Sequence, residues 1–284
     1  MNRRIATATL AFATLTSTIG LSSRASADDA LPLPVAEPVV LTQTSPDANA
    51  EALVIKTTVD PATRLVDLKA KGAAAIVKRQ TTLAELSGKI AGQAKDCGSN
   101  AAMTAEITAT ATGLTGVGTS LAAATDLKVA KDLYRSIFID YRVYLVVAPK
   151  AGKVIRCDVQ LLRNDALTAE GAKLQLSIDE AKAKGVDTAA AQGAKDAAMA
   201  QLAGINPVAA LPGVLNLVPD RGDKAVAASN TAALRASDAV LDGTYNAQRS
   251  VNTQFGVARK ALNASSTAAR AANQASRTTK VKSK

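Results

Sequence analysis

The twenty residues IDYRVYLVVAPKAGKVIRCD, positions 139–158, stand apart from the Ala-, Thr-, Gly-, Lys- and Asp-rich chain around them. Tyr141 and Tyr144 flank Arg142, an apolar run reaches Ala148, and Pro149 opens a basic segment that ends at Cys157-Asp158. Three readings compete: a ligand site, a membrane-seeking strip, or a packing anchor. Tyr134, Phe138 and Tyr141 are spaced i, i+4, i+7, which places them on one helix face. After Arg142 the pattern changes. Val143, Leu145 and Val147 alternate with Tyr144 and Val146, and a proline follows. So short a run suits either a buried extended segment or the last turns of a helix. The β-branched content, and the bias of Ala148 away from α before Pro149, favour an extended crossing between two helices. The run is far shorter than the ~20 apolar residues a membrane span needs. The packing anchor is the strongest of the three readings, because aromatics bury the most surface per residue.

The flanking sequence is helical in period. Asp60-Pro61 reads as an N-cap with Pro at N1. Leu65, Leu68, Gly72, Ile76, Leu83, Leu86, Ile90 and Ala94 then form one stripe, interrupted by Arg79, that is expected to stop near Cys97-Gly98. Residues 100–123 carry a second pattern on Met103, Ile107, Leu114, Val117 and Leu121, weakened by three glycines. Asp126 caps a third helix that ends in the strip. A fourth runs from the strip to about Lys184, and a fifth, Ala-rich, ends at Gly204. The Pro/Gly-rich stretch over 205–223 holds enough apolar residues to pack. A last long helix begins near Asp220–Lys224 and loses its pattern after Leu262.

Composition agrees with helices. Alanine is the commonest apolar residue and supplies nearly half of the apolar content, and Trp is absent. Burying an Ala methyl contributes about 0.8 kcal/mol, against ~1.5–3 for Val, Leu or Phe. Such residues suit close helix contacts and fill a pleated sheet poorly. The expected fold is all-α: an elongated antiparallel bundle of long helices with a Pro-rich leader and a disordered basic tail.

The N-terminus reads as an export signal. Arg3-Arg4 precede a moderately apolar stretch, and Ala25-Ser26-Ala27 is an A-x-A cleavage site. The organisation expected is a signal peptide over 1–27, a Pro-rich leader over 28–58 with a short strand at 52–56, a helical domain over 59–262 and a basic low-complexity tail over 263–284. No transmembrane segment is read after the signal, so the product is expected to be secreted and extracellular or wall-associated. Cys97 and Cys157, an even count in an exported chain, are expected to form a disulfide.

The net charge of +10 suggests a nucleic-acid partner until the charges are located. Three arginines lie in the signal peptide. Residues 28–242 carry 23 basic and 24 acidic side chains, which leaves −1. Residues 243–284 carry eight bases and no acid, and +3 −1 +8 recovers +10. The basicity is therefore a C-terminal feature, with Arg259, Lys260, Arg270, Arg277, Lys280, Lys282 and Lys284 as candidate polyanion contacts. No aromatics are interleaved to stack bases, which argues against nucleic acid. The tail reads either as a solubilising segment with no dedicated partner or as a contact for an anionic cell-wall polymer, anionic lipid head groups or an envelope protein.

Catalytic chemistry has little to draw on. The chain has no His, which removes His-based triads, proton shuttles and metal sites. The remaining acids, Asp126, Asp132, Asp140, Asp158, Asp179 and Glu180, have no motif context. The glycines of TGLTGVGTS follow no strand and include no G-K-[ST], so no phosphate loop is read. Arg221-Gly222-Asp223 reads as turn chemistry. Arg79, Arg135, Arg142 and Arg156 lie on or beside apolar faces and are expected to snorkel or to pair with Asp140 or Asp158. No catalytic residue, cofactor or metal is expected.

The segment LYRSIFIDYRVYLVVAPKAGKVIRCD, with IVKRQTTLAELSGKI upstream and LPGVLNLVPDRGD before the last helix, resembles a family of uncharacterised secreted helical proteins of actinobacteria. They carry an IFxxYRVYxLVxPK-type strip. The resemblance covers roughly residues 65–162 and, more loosely, 214–255. It implies export and a helical fold. It carries no activity, cofactor or site residue, and the two cysteines lie outside its pattern.

Overall fold

The computed structural model describes residues 60–282 of the chain, with side chains to residue 279. The expected signal peptide, the expected leader with its short strand, and residues 283–284 lie outside the described residues. Within them the protein is all-α, with no strand. The elements are α1 (Pro61–Ala91), α2 (Asn100–Ala123), α3 (Leu127–Ile139), a π-helical turn (Val143–Val147), α4 (Ala148–Ala183), α5 (Ala189–Ala203), a 3-10 turn (Pro207–Ala210), one turn α6 (Pro212–Leu215) and α7 (Lys224–Lys282).

Helix α1 starts as its sequence dictates. Asp60 accepts the N–H groups of Ala62 and Thr63, and Pro61 occupies the first turn, where its missing N–H costs nothing. Its stripe is buried at Leu68, Gly72, Ile76, Leu83, Leu86 and Ile90, and Arg79 is buried with it. The end comes earlier than expected, at Gly92. Asp96 supplies the reason. Its Oδ1 accepts the N–H groups of Gly98, Ser99 and Asn100, at 2.7, 2.9 and 3.2 Å, and so opens α2. A segment that gathers those donors cannot also continue α1. Gly98 provides the reversal at φ +84°, a conformation that costs glycine little.

The direction of the helices follows from which residues meet. In the α1–α2 hairpin Lys69 donates to the Ala122 carbonyl at 2.7 Å and Gln80 to Thr115 Oγ1 at 2.9 Å, so the pair is antiparallel. In α4–α5 Gln175 meets Gln192 and Lys195, and Asn164 reaches the Ile205 carbonyl, again antiparallel. Helices α4 and α7 differ. Lys153 pairs with Asp238, Gln248 donates to the Gln160 carbonyl, and Arg259 pairs with Glu170. The numbers rise together, so these two helices run parallel. The crossover over 204–223 makes this possible by carrying the chain back to the start of α4. It packs as its composition predicts, with Pro207, Ala210, Leu211, Val214 and Leu217 buried.

Helix α4 joins two cores. Its first turns, with Ala151, Val154 and Cys157, pack with α1 and α2. Its later turns, with Leu167, Leu174 and Ile178, pack with α5 and with Val251, Phe255 and Leu262 of α7. One stretch, Ala189–Leu215, is apolar and long enough on average to cross a membrane by length and composition. Gly204, Pro207 and Pro212 interrupt it, and Ala198, Leu202, Leu211 and Val214 are core residues, so it is weak evidence of a span.

Helix α7 runs through the segment expected as a disordered tail, to Lys282. Leu262 is its last buried residue, and positions 270–279 are exposed throughout.

Candidate functional site

The strip that opened the sequence is the most buried part of the fold. Residues 146–151 are buried without a break. The extended crossing expected there is replaced by helix. Arg142 makes the whole change of direction at φ 40°, ψ 42°. Val146 N–H then donates to the Arg142 carbonyl at 2.8 Å, and Ala148 N–H donates to the Val143 carbonyl, which closes a π turn. Ala148 is helical at φ −68° despite the proline after it, and Pro149 sits in the first turn of α4 instead of ending the run. A left-handed non-glycine residue costs roughly 1–3 kcal/mol and persists only where its surroundings fix it.

Here the surroundings are reciprocal ion pairs. Arg142 reaches Asp220 at 2.5 Å, and Arg221, itself at φ 49°, faces Asp140 at 3.6 Å. The two left-handed arginines thus tie the α3–α4 junction to the turn before α7. The Arg221-Gly222-Asp223 tripeptide is spent within this turn. Asp220 Oδ1 accepts the Gly222 N–H at 2.8 Å, and Asp223 accepts those of Ala225 and Val226 at the start of α7.

Arg79, Arg156 and Tyr141 also have structural partners, whereas Arg135 is exposed on α3. The Arg79 guanidinium lies 4.3 Å from the Phe138 ring centroid and 5.1 Å from that of Tyr144, and Nη1 donates to the Ala75 carbonyl. Arg156 pairs with Asp238 at 3.3 Å and also with Asp242. Neither Arg142 nor Arg156 takes the expected partner, Asp140 or Asp158, because the acids of the 220–242 region approach them across the fold. Tyr141 covers Gly113, where a Cβ would stand 2.4 Å from its ring. That contact explains one of the glycines that weaken the α2 pattern.

Lys150 is the strip's least expected element. It is 3% exposed, and its Nζ lies 2.9 Å from both Glu106 oxygens and 3.0 Å from the Leu217 carbonyl. Three elements meet on one ammonium. The sequence held a signal for this: Glu106 is the sole charged residue of α2.

Cys97 and Cys157 form the expected disulfide, with Cα atoms 6.2 Å apart. Asp158 lies beside it, 1% exposed, and its Oδ1 accepts the Cys97 N–H at 2.7 Å. Burial pushes its carboxyl above the ordinary carboxylate value, while the Cys97 N–H and the Asn100 side chain act in the opposite direction. The fold therefore binds this proton more tightly than the unfolded chain does. Stability from this residue is present below about pH 4 and is lost as pH rises through its raised value. Asp158→Asn keeps the acceptor and removes the charge. It should raise the midpoint of thermal unfolding at pH 7 by a few degrees and leave it unchanged below about pH 4, in scans across pH.

The remaining acids do not converge. Asp126 caps α3, Asp132 pairs with Lys128, Asp179 accepts from Gln175, and Glu180 is exposed. Among the described residues no three His, Cys, Asp or Glu side chains are grouped as a metal would need.

The basic candidates divide. Arg259 is drawn into the fold by Glu170. Lys260, Arg270 and Arg277 are exposed along α7. The side chains of Lys280 and Lys282, and the whole of Lys284, lie outside the described residues. Arg270 and Arg277 are seven residues apart and share one face of the helix. No protein-family model, curated protein or solved structure matches the chain.

Proposed function

We propose that this is an exported, non-enzymatic helical protein that works by contact at the cell envelope. We further propose that the contact is with an anionic wall polymer, made by the last turns of α7. Export rests on the N-terminal signal, and the scaffold is a bundle of antiparallel hairpins, α1–α2 and α4–α5, extended by α7. The observation that carries the reading is what happens after Leu262. Core residues cease there, acids have already ceased at Asp242, and exposed bases continue. The twenty residues from there to Lys282 make about 30 Å of helix. Most helical stability in proteins comes from packing an apolar face, and this stretch has no such face. It therefore frays when free and is ordered by the polymer that neutralises it, which is the disordered tail of the sequence reading in functional form.

Retention on an immobilised wall polymer or heparin tests this. The full chain should bind, and a chain ending at Leu262 should elute without binding while keeping its helical circular dichroism and its Arg259–Glu170 pair. Retention that survives the truncation would contradict the reading.

A further inference from the structure

Two arginines meet on one tyrosine at the α4–α7 seam, with no acid between them. The Arg163 guanidinium of α4 lies 4.8 Å from the Tyr245 ring centroid, and that of Arg249, one turn further along α7, lies 6.0 Å from it. Arg163 is 8% exposed, and its Nε is buried without a hydrogen-bond partner. Arg249 is exposed. The acids nearest to them in the two helices are committed elsewhere. Asp158 accepts the Cys97 N–H, Asp165 pairs with Lys95, Glu170 with Arg259, and Asp238 and Asp242 with Arg156. Burying a charge is costly unless it is both paired and hydrogen-bonded. Stacking on Tyr245 answers only part of that cost. The ring meets the face of the guanidinium, whereas the N–H donors lie in its plane and stay unused.

We infer that Arg163 and Arg249, gathered about Tyr245, bind one phosphate monoester group. Charge sets the class of ligand. Two guanidinium groups without a counter-ion match a dianion, and a phosphate monoester carries about −1.5 to −2 at pH 7 with three acceptor oxygens. A carboxylate would neutralise only one of the two. The planar fork of arginine also fits phosphate oxygens two at a time. The seam is open to such a ligand. Glu170 and Ser177 follow Arg163 at heptad steps on α4, and Asn263 follows Arg249 at heptad steps on α7, so they continue the faces that carry the two arginines. These three residues line an open groove of about 250 Å³. Between the arginines and that groove, a Cβ at Gly256 would meet nothing within 4 Å. The site belongs to the body of the fold and does not depend on the contact made by the last turns of α7.

Titrating the full chain with inorganic phosphate at pH 7 and low salt, followed by the amide signals in NMR spectra, tests the inference. Saturable shifts should cluster at residues 160–166 and 245–252, with a midpoint of about 1 mM. Arg163→Gln and Arg249→Gln should each raise that midpoint at least about tenfold, the scale of one lost charge-assisted hydrogen bond. Arg249 is exposed, so its variant keeps the test valid even if Arg163→Gln fails to fold. Arg270→Gln, in the last turns of α7, should leave the midpoint unchanged. Acetate, singly charged, should bind at least about tenfold more weakly than phosphate. No shift in either cluster up to about 10 mM phosphate, or an unchanged midpoint in Arg249→Gln, overturns the inference. Shifts confined to residues after 262, or acetate binding as tightly as phosphate, overturn it as well.

Discussion

Replacing Cys97 and Cys157 by alanine should lower unfolding free energy by about 4 kcal/mol, the chain-entropy value for a loop of this size. The bond spans 60 residues, from the loop between α1 and α2 to the third turn of α4, and encloses α2, α3 and the strip. The enclosed segment therefore gains most of its unfolded freedom when the bond is lost. Packing adds to the effect, because Cys157 is fully buried in the first core. Guanidinium unfolding of oxidised parent and double-alanine chain, compared at equal slope, measures the difference. A loss below about 1 kcal/mol would mean that the loop stays ordered in the unfolded state and that the bond is not the clamp described here.

Glu106 and Lys150 give the second large effect, and its asymmetry is the diagnostic part. Lys150 is almost wholly buried, whereas Glu106 retains a third of its side-chain exposure. Glu106→Leu strands the ammonium with the Leu217 carbonyl as its remaining partner among the contacts above. The expected cost is about 3 kcal/mol, the low end for breaking a buried pair. Lys150→Met fills the same channel with a stem of similar length. It frees a carboxylate that can reach water and leaves one carbonyl unpaired, for about 1–2 kcal/mol. The double change, Glu106→Leu with Lys150→Met, should recover most of the loss. Denaturant midpoints of the four chains form the cycle. Equal costs for the two single changes would place both groups in solvent and remove Lys150 as the joint between α2, α4 and the crossover.

What the sequence made legible was local. The start of α1 at Asp60-Pro61, the limits of α2 and the end of α5 at Gly204 each depend on one or two residues whose backbone preferences act within a turn. The disulfide was legible from an even cysteine count in a chain whose N-terminus reads as an export signal. Features set by distant partners were not. Gly92 and Gly98 are equally good stops for α1, and only Asp96, by gathering the donors of α2, decides between them. The strip reads as extended because valines before a proline favour it. In the fold a single left-handed Arg142, held by Asp220 from 78 residues away, keeps those valines helical. The parallel run of α4 and α7 is invisible to any helical period, since it depends on where the crossover returns. The polar contacts of Arg142 and Arg156 were missed for the same reason: their acids lie in the 220–242 region. The basic end of the chain was legible as a charge distribution, but that Arg259 belongs to the fold and Lys260, Arg270 and Arg277 to the surface required Glu170 to be placed.

The claim that the last turns of α7 make the protein's contact is tested most directly by the salt dependence of binding to an anionic wall polymer. The logarithm of the association constant should fall linearly with the logarithm of salt concentration, with a slope of about three to six, the number of bases available after Leu262 together with Lys260. Each Arg→Gln change at Arg270 or Arg277 should reduce that slope by about one. Binding that is insensitive to salt, or a slope unchanged by both substitutions, would contradict the account.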